Sequence, residues 1–309
     1  MSGGTKSGDM YERFRELHHG ARPLLLPNAW DHASAAALHR SGFPAVATTS
    51  LGVASAAGLP DGAGAAREHT LALGRGLARL PVPVSVDAEG GFSAEPEDVA
   101  ALVRELADAG VAGVNLEDGL PDGTLADPVR QAEKITAAKE AAPRVFVNAR
   151  TDTHWLGAEP TLRAALRRTA AYAEAGADGV FVPGLADEEE VGALVRESAL
   201  PVNVLYAPGR SDPGRLAELG VARISLGSLL FRAALGRAVD TALSVLPEAW
   251  APAAREKERR AAAGSWTMSG VPPYALVQEL ADDFDRHAGA GSPYGSGPGP
   301  GSAPPAGRR

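Results

Sequence analysis

The sequence predicts an α/β protein built as one (β/α)8 barrel of the TIM type, and three observations support this prediction. Short apolar runs rich in Val, Leu or Ala alternate with longer alanine-rich amphipathic segments, and there are eight such runs. The runs are almost continuously apolar, as expected for parallel strands that helices cover. Eight β/α units in about 220 residues match the barrel in number and size. An open, doubly wound sheet is the structural alternative, but the glycine-rich dinucleotide fingerprint is missing after the first run.

In chain order, the predicted strands are "PLLLPNA" (23–29), "AVATTS" (45–50), "PVSVDAE" (83–89), "GVNLED" (113–118), "VFVNAR" (145–150), "GVFVPG" (179–184), "VNVLYA" (202–207) and "ARISLG" (222–227). The segments between them have helical spacing. In "PEDVAALVRELADAG", Val99, Leu102, Val103 and Leu106 fall on one helical face, and Gly110 marks the helix end. The order of helix, glycine and strand recurs along the chain, which favours a regular series of β/α units.

The ends of the chain differ in composition from the middle. We expect residues 1–9 to be a flexible N-terminus, residues 10–286 to form the barrel with a helical extension from about 246, and residues 287–309, rich in Gly, Pro and Ser, to be a disordered tail. The extension carries apolar side chains that either cap the barrel or pack on another subunit: Trp250, Trp266, Tyr274 and Leu276.

Composition excludes several classes of function. The net charge of the 309-residue chain is -8 and charges of both signs are mixed, so no basic surface for nucleic acid or anionic membrane is expected. The chain has no cysteine, which removes disulfides, thiolate metal sites and cysteine nucleophiles. No apolar run approaches the roughly 20 residues of a membrane span, and the N-terminus lacks the apolar core of a secretory signal. We therefore expect a cytoplasmic protein.

Acidic residues gather where the predicted strands end, which is where barrels of this class carry their active sites. Asp87 and Glu89 end the third run, Glu117 ends the fourth, and Asp61 lies in a glycine-rich loop after the second. Residues two apart along a strand face the same way, so Asp87 and Glu89 are expected to face together. Buried together, these carboxylates would repel one another unless a divalent cation compensated them. An all-oxygen ligand set favours Mg2+, with Mn2+ as an alternative.

Arg150 ends the fifth run and faces the same way as Asn148. A guanidinium in this position could bind a substrate carboxylate or phosphonate in a forked geometry. Together, metal and arginine indicate a small dianionic substrate. The four lysines, Lys6, Lys134, Lys139 and Lys257, all lie away from the strand ends, which argues against a Schiff-base aldolase.

Other polar residues near the strand ends also have ordinary structural interpretations. Asp118 and Asp152 could cap helices or form ion pairs, and Asn28 and Asp31 could cap the first helix of the barrel. His154 could transfer a proton or could simply be a solvated loop histidine. The sequence leaves these alternatives open.

Several motifs, in this order and spacing, resemble the isocitrate lyase/phosphoenolpyruvate mutase superfamily over about residues 20–245. They are "LLLPNAWDHASAAALHRSGFPAVATTS", "GLPDG", "VSVDAEGGF", "GVNLEDG", "VNARTDTH" and "GADGVFVPG". The resemblance implies a homo-oligomeric barrel, dimer or tetramer, that holds Mg2+ against a small 2-oxo or 2-hydroxy carboxylic acid. It also implies that a bond next to an enolate is made or broken there.

Carried over by position, the resemblance implies a group of metal-binding acids and a group that binds substrate. Asp87 would be the direct metal ligand and contact the substrate, and three further acids would act through metal-bound water: Glu89, Glu117 and Asp61. The groups that grip the substrate carboxylate would be the Ser50 side chain, the backbone of Leu51 and Gly52, Arg150 and, as a further candidate, Asn203.

The loop after the fourth strand departs from the family pattern. The lyases carry a Lys-Arg-Cys-Gly-His type motif there and the mutases a lysine and an asparagine, whereas residues 119–128, "GLPDGTLADP", contain none of these. Asp61, Asp122 and His154 remain as candidate proton donors. The leading hypothesis is a Mg2+-dependent C–C lyase.

Two groups of alternatives remain for this function. Within the enzymes, they are an oxaloacetate-type hydrolase or decarboxylase and a phosphonate P–C bond mutase or hydrolase. From another class, the chain could be a non-catalytic binder of a small dicarboxylate. The altered loop favours the binder, whereas the retained acids favour catalysis.

Overall fold

The computed structural model describes residues 9–245 and 271–280 of the chain. Its strands are β1 (Leu24–Leu26), β2 (Asn28–Ala29), β3 (Val46–Thr48), β4 (Val84–Asp87), β5 (Gly113–Glu117), β6 (Phe146–Arg150), β7 (Gly179–Phe181), β8 (Val202–Leu205) and β9 (Arg223–Ser225). Its helices are α1 (Met10–Leu17), α2 (His32–Arg40), α3 (Ser50–Ala56), α4 (Arg67–Leu77), α5 (Pro96–Asp108), α6 (Pro128–Ala141), α7 (Leu162–Glu174), α8 (Glu188–Glu197), α9 (Pro213–Glu218) and α10 (Leu229–Ser244).

All strand pairs are parallel, and the first strand segment closes the sheet into a barrel. Its first half, β1, pairs with β9, and its second half, β2, pairs with β3. Pro27 separates the halves; it has no N–H to donate, while its carbonyl accepts a 2.9 Å hydrogen bond from Ala47 N. Since β1 and β2 are one segment, the eight predicted runs correspond to eight positions around the barrel, which confirms the predicted fold.

Helices cover the barrel as the hydrophobic spacing predicts. In α5, Val99, Leu102, Val103 and Leu106 are fully buried. The chain leaves this helix through Gly110, whose φ of 98° is accessible to glycine at little cost. Burial of this apolar face, rather than helix propensity alone, fixes the helix on the sheet. Within the described ranges, no helix is long and apolar enough to cross a membrane.

Helix α1 covers the N-terminal end of the barrel. Phe14 is fully buried there, with its ring centroid 5.4 Å from that of Phe146. His18 stacks on the same Phe146 ring at 4.2 Å, and one of its ring nitrogens, Nδ1, lies 2.8 Å from the Phe14 carbonyl oxygen. Burial lowers the pKa of His18 to about 3. The neutral imidazole is therefore part of the packing at this end.

A polar layer lies above this apolar end, inside the barrel. Asn115, Asn148, Asn203 and Arg223 are all buried on the strands. Asn115 Oδ1 accepts hydrogen bonds from Asn148 Nδ2 at 2.9 Å and from Arg223 Nη2 at 3.3 Å. The barrel interior thus changes from apolar to polar toward the ends of the strands, where the candidate site lies.

The helical extension predicted from about 246 is described only over residues 271–280, of which 274–280 are helical. Arg232 on α10 holds this segment, since its Nη1 donates a 2.7 Å hydrogen bond to the Pro272 carbonyl. Trp250, Trp266, the predicted disordered tail and residues 1–8 of the predicted flexible N-terminus lie outside the described residues.

Candidate active site

A cavity of about 260 Å3 opens at the C-terminal ends of the strands. Its polar lining consists of Asn28, Thr49, Ser50, Asp61, Asp87, Asn115, Glu117, Arg150, Asp152, Ser225, Ser228, Tyr274 and Gln278. Four of these side chains are carboxylates and one is a guanidinium. The structure therefore brings together acids and a cation that are far apart in the sequence, as strand-end residues of a barrel should be.

Asp87 is the last residue of β4 and is only 9% exposed. Its Oδ2 accepts a 3.2 Å hydrogen bond from the backbone N–H of Ser50, and its own N–H donates to Thr48 Oγ1 at 2.9 Å. The other carboxylate oxygen, Oδ1, is buried without a protein partner. Since buried polar atoms are normally paired, this oxygen is suited to bind a ligand such as a cation.

Glu89 lies beyond the end of β4 and turns away from the strand direction, with a φ of 48°. The expectation that it faces with Asp87 by strand alternation is therefore wrong, and Glu89 does not line the cavity. Its Oε2 accepts from Gly64 N at 3.2 Å, while Oε1 is buried without a partner. Burial, and then the charges of Asp61 and Asp87, raise the pKa of Glu89 to about 7.

Arg150 binds two acids at the floor of the cavity. Its Nη1 lies 2.6 Å from Glu117 Oε2, and its Nε and Nη2 donate to the two carboxylate oxygens of Asp152 at 2.5 and 2.9 Å. Burial raises the pKa of Glu117 well above its ordinary value, although Arg150 opposes this shift. Burial alone would lower the pKa of Arg150, but the charges of Asp152 and Glu117 raise it, so the guanidinium remains charged.

Asp118 supports this arrangement from below. Its Oδ1 accepts a 2.8 Å hydrogen bond from Asp152 N, and its Oδ2 accepts from Arg168 Nη1 at 3.1 Å and from the Tyr172 hydroxyl at 2.6 Å. Asp118 thus has the structural role that the sequence left open. Asp152 has a mixed role, because it fixes Arg150 and also lines the cavity.

Asp61 lies above the strand ends and is held by the segment 271–280. The Tyr274 hydroxyl donates to Asp61 Oδ2 at 2.5 Å, and Gln278 Nε2 donates to the Asp61 carbonyl at 3.2 Å. Asp61 Oδ1 is buried without a partner, and burial raises the pKa of this carboxyl. Of the alternatives for Tyr274, capping the barrel is therefore the one observed.

Ser50 begins α3, where its own backbone N–H donates to Asp87 Oδ2, so the N–H groups that the helix start leaves for a ligand are those of Leu51 and Gly52. Ser50 and Leu51 line the cavity, but Gly52 lies behind them. A Cβ at Gly52 would come within 2.8 Å of both Thr49 Cγ2 and Trp30 Cβ. Gly52 is thus required for the close packing that supports this turn.

The first loop of the barrel has mainly structural contacts. Asp31 caps α2, since its carboxylate accepts from Ser34 N at 2.7 Å. Asn28 donates to the Thr48 carbonyl at 2.7 Å and accepts from Gly227 N at 2.9 Å, so it ties β2 to β3 and to the loop after β9.

Besides Glu89 and Gly52, three further predicted site residues lie outside the cavity lining. His154 points elsewhere: its Nδ1 is 3.0 Å from Thr153 Oγ1, its Nε2 is buried without a protein partner, and burial lowers its pKa. Asn203 is buried in the polar layer below the site. Asp122 is in an exposed turn, where hydrogen bonds from Thr124 lower its pKa.

The loop 119–128 folds back on itself next to the cavity. Gly119 forms a bridge with Leu125, and Leu120 N donates to the Thr124 carbonyl at 2.9 Å. A Cβ at Gly119 would lie 2.5 Å from Asp152 Oδ2, so glycine is required beside the ion pair. Leu120, Pro121 and Gly123 line the cavity, and the loop contributes no titratable side chain to it.

Sequence reasoning missed Arg223 as a part of the site's support. The side chain is fully buried, its Nε donates to Ser225 Oγ at 2.9 Å, and its Nη1 has no protein partner. Burial lowers its pKa to about 9, although the Asp87 charge opposes this. The sequence did contain one indication of this role. Arg223 stands between Ala222 and Ile224 in an apolar run, which indicates a charged group that faces the barrel interior.

The donor set fits a hard divalent cation bound through few carboxylates. Asp61, Asp87 and Glu89 each have a buried carboxylate oxygen without a protein partner, and their charges act on one another. Within residues 9–245 and 271–280, no three acidic or histidine side chains form a ready-made ligand cluster. Mg2+ usually binds through one or two carboxylates and keeps several waters, and the unpartnered oxygens of Asp61, Asp87 and Glu89 are the groups that could hold it.

Comparison with known proteins gives three consistent matches in sequence. A family model described as phosphoenolpyruvate phosphomutase matches residues 14–246. An uncharacterised protein of Mycobacterium tuberculosis (strain ATCC 25618 / H37Rv) is 46% identical over 232 residues, which cover 75% of this chain and 88% of the relative. The 2-methylisocitrate lyase of Bacillus subtilis (strain 168) is 33% identical over 199 residues, covering 62% of this chain and 65% of the lyase.

A solved structure from Burkholderia cenocepacia J2315, provisionally assigned as a phosphonomutase, has the same fold. It superposes with a TM-score of 0.73 at 38% sequence identity, over 77% of this chain and 99% of that structure.

Proposed function

Because the chain belongs to the phosphoenolpyruvate phosphomutase family, as the motif resemblance implied, we propose that it is a Mg2+-dependent C–C lyase of a small 2-oxo or 2-hydroxy acid. The observation that carries this proposal is the pair of unpartnered, buried carboxylate oxygens of Asp61 and Asp87 in the cavity that Arg150 lines, with a third on Glu89, whose carboxyl is affected by the charges of both. Negative charge held in this way needs a compensating cation. In this proposal Asp87 binds the metal directly, and Glu89, Glu117 and Asp61 act through its waters.

The residues of the cavity have distinct tasks in this proposal. The backbone N–H groups at the start of α3, with the Ser50 hydroxyl, bind the substrate carboxylate. Arg150 binds the substrate carboxylate from the side opposite Ser50 and adds positive charge where the substrate oxyanion develops. The metal, when bound, supplies further positive charge next to that oxygen. Cleavage of a C–C bond beside the carbonyl is favoured because the electron pair left behind is stabilised.

The carbanion that cleavage leaves needs a proton. Of the three predicted donors, Asp61 lines the cavity, whereas Asp122 and His154 do not. Burial raises the pKa of Asp61, so that its protonated form is populated at higher pH than that of an ordinary aspartic acid. Asp61 is therefore our candidate donor, and Tyr274 is the group that positions it.

A panel assay with and without Mg2+ tests the proposed reaction directly. The panel contains 2-methylisocitrate, 2,3-dimethylmalate, 4-hydroxy-2-oxohexanoate, oxaloacetate and phosphonopyruvate. Metal-dependent formation of two carbon fragments from any of the first three supports the lyase. Turnover of oxaloacetate or phosphonopyruvate alone would instead support the hydrolase or P–C enzyme.

A binding function is the second candidate, and the loop 119–128 favours it because it brings no titratable group to the cavity. Mg2+-dependent calorimetric binding of oxalate, without turnover of any panel compound, would support a binder. A structure with Mg2+ and oxalate in which no metal lies near Asp87 would overturn both candidates.

We further propose a homo-oligomer, dimer or tetramer, in the cytoplasm; sedimentation of the purified chain tests the assembly state.

A further inference from the structure

The cavity has two chemically different sides. The carboxylates come from β4, from β5, from the loop after α3 and, for Asp152, from the residues that directly follow β6. Across the barrel, β8 lies four strands from β4, and β7 lies four strands from β3, in the closed strand order. The ends of β6 to β8 and the loop 119–128 supply side chains that form what we call the apolar wall: Leu120, Trp155, Leu156, Phe181, Pro183 and Leu205.

The apolar wall remains partly open to water at the mouth of the cavity. Leu120, Trp155 and Leu156 are 38%, 39% and 37% exposed. They are three of the eight large apolar side chains that are exposed in the described residues, so this exposure is concentrated at one opening. An apolar group placed against them would remove their surface from water, which is favourable.

Cationic groups are scarce in the cavity. Among the described residues that line it, Arg150 is the single cation, and Glu117 and Asp152 already bind it. Neither lysine nor histidine lines the cavity in the described part of the chain. A second substrate carboxylate directed at the apolar wall would therefore give up part of its hydration without gaining a cation.

On the premise of the proposed function, we infer that the substrate has one carboxylate, bound beside Arg150 and Ser50, and an uncharged alkyl or aryl group against the apolar wall. This revises the small dianionic substrate expected from the sequence. It makes the apolar wall the feature that selects among 2-oxo and 2-hydroxy acids.

Three ligands separate this inference from the proposed function. Calorimetric titrations of the full-length protein in the presence of Mg2+ compare its affinities for oxalate, 2-oxoglutarate and 2-oxohexanoate. Oxalate has no remote end, so its binding reports the metal and carboxylate side alone. We expect 2-oxohexanoate to bind about tenfold or more tightly than 2-oxoglutarate, because its alkyl end is buried while a carboxylate there would be unpaired.

A charged substitution in the apolar wall tests the assignment of the selecting surface. Leu156→Lys places a cation at a partly exposed position of the mouth, where charge is compatible with folding. We expect the ratio of the two oxo-acid affinities to fall at least about fivefold toward 2-oxoglutarate. Val129→Lys, at a 64% exposed position on α6 away from this cavity, is the matched control and should leave the ratio unchanged.

The possible outcomes are distinguishable. If oxalate fails to bind with Mg2+, the proposed function itself fails. If oxalate binds but 2-oxoglutarate binds as tightly as 2-oxohexanoate, or neither oxo acid binds, the inference about the apolar wall is overturned while the metal site stands. An unchanged affinity ratio in Leu156→Lys would also overturn it.

Discussion

The Tyr274 hydroxyl donates a 2.5 Å hydrogen bond to Asp61 Oδ2, so a residue near the C-terminal end of the chain contacts an acid of the second β/α unit. Trp155 packs edge-on against the Tyr274 ring, with centroids 5.4 Å apart. Burial raises the pKa of the Tyr274 hydroxyl, and the charge of Asp61 raises it further, so the phenol keeps its proton. The segment 271–280 thus covers the cavity and also sets the environment of a candidate proton donor.

Substitution of Tyr274 by Phe should affect the site more than the stability of the fold. Asp61 would lose the hydrogen bond that favours its ionised form, so the pKa of its carboxyl should rise. We expect the pH at which Mg2+ and oxalate begin to bind to increase by up to about one unit. Calorimetry across pH measures this, and Tyr206→Phe, outside the cavity lining, is the control. Identical pH profiles for Tyr274→Phe and the unaltered protein would show that the contact has no such role.

Replacement of Arg150 by Lys should be far from conservative. A lysine ammonium cannot bridge Glu117 and both oxygens of Asp152, as the guanidinium does. We expect oxalate affinity to fall about 100-fold and the free energy of unfolding to fall by roughly 2–4 kcal/mol. Calorimetry and urea unfolding measure the two effects.

The control for this change is Arg167→Lys on the exposed face of α7, where the arginine pairs with Glu159. This variant should bind and unfold like the unaltered protein. Retention of oxalate affinity by Arg150→Lys would mean that the guanidinium does not grip the substrate acid.

Substitution of Asp87 by Asn should abolish Mg2+ binding without destabilising the metal-free protein. The change keeps an acceptor for the Ser50 N–H but removes one charge from a group of acids that repel one another. Isothermal titration with Mg2+ should therefore show no binding, while thermal unfolding without metal occurs at the same or a higher temperature. Asp108→Asn, on the exposed end of α5, should titrate normally. Normal Mg2+ affinity in Asp87→Asn would exclude Asp87 as the direct ligand.

His18 should make the fold sensitive to acid independently of the active site. Its pKa is about 3 in the folded protein, below the ordinary value of 6.5, because its ring is buried against Phe146. The unfolded chain therefore takes up this proton first, so the stabilisation is present above pH 6.5 and is lost as the pH falls toward 3. The slope can reach about 1.4 kcal/mol per pH unit.

The variant His18→Phe isolates this effect. Its free energy of unfolding, measured in urea between pH 4.5 and 7.5, should depend less steeply on pH than that of the unaltered protein. His19→Phe changes the exposed neighbour and should leave the slope as it was. Equal slopes in all three proteins would contradict a neutral, buried His18.

The barrel was predictable because its evidence is local and repeated. Each strand is an apolar run, and a helix such as α5 shows its buried face in the spacing of Val99, Leu102 and Leu106. Asp87 and Arg150 were identifiable for a related reason. They end strands, and barrel topology alone brings strand ends together.

Other parts of the site depend on contacts that no local pattern records. Tyr274 caps the barrel because the chain after α10 comes back to the loop that carries Asp61. The sequence did not decide between this position and packing on another subunit. Glu89 was misjudged because its positive φ interrupts the alternation that the strand pattern implied. The support of Arg150 by Asp152 and Asp118 required knowledge of side-chain directions at adjacent strand ends.

The division of the first strand at Pro27 has a consequence for the synthesis of the chain. Leu24 to Leu26 emerge from the ribosome early, but their partners, Arg223 to Ser225, emerge only after every other strand has been made. Until then the nascent sheet has two unpaired edges, which are sites for association with other chains. The barrel can therefore close only after the last β/α unit has been synthesised. Ribosome stalling before residue 225 should leave a chain that chaperones must protect.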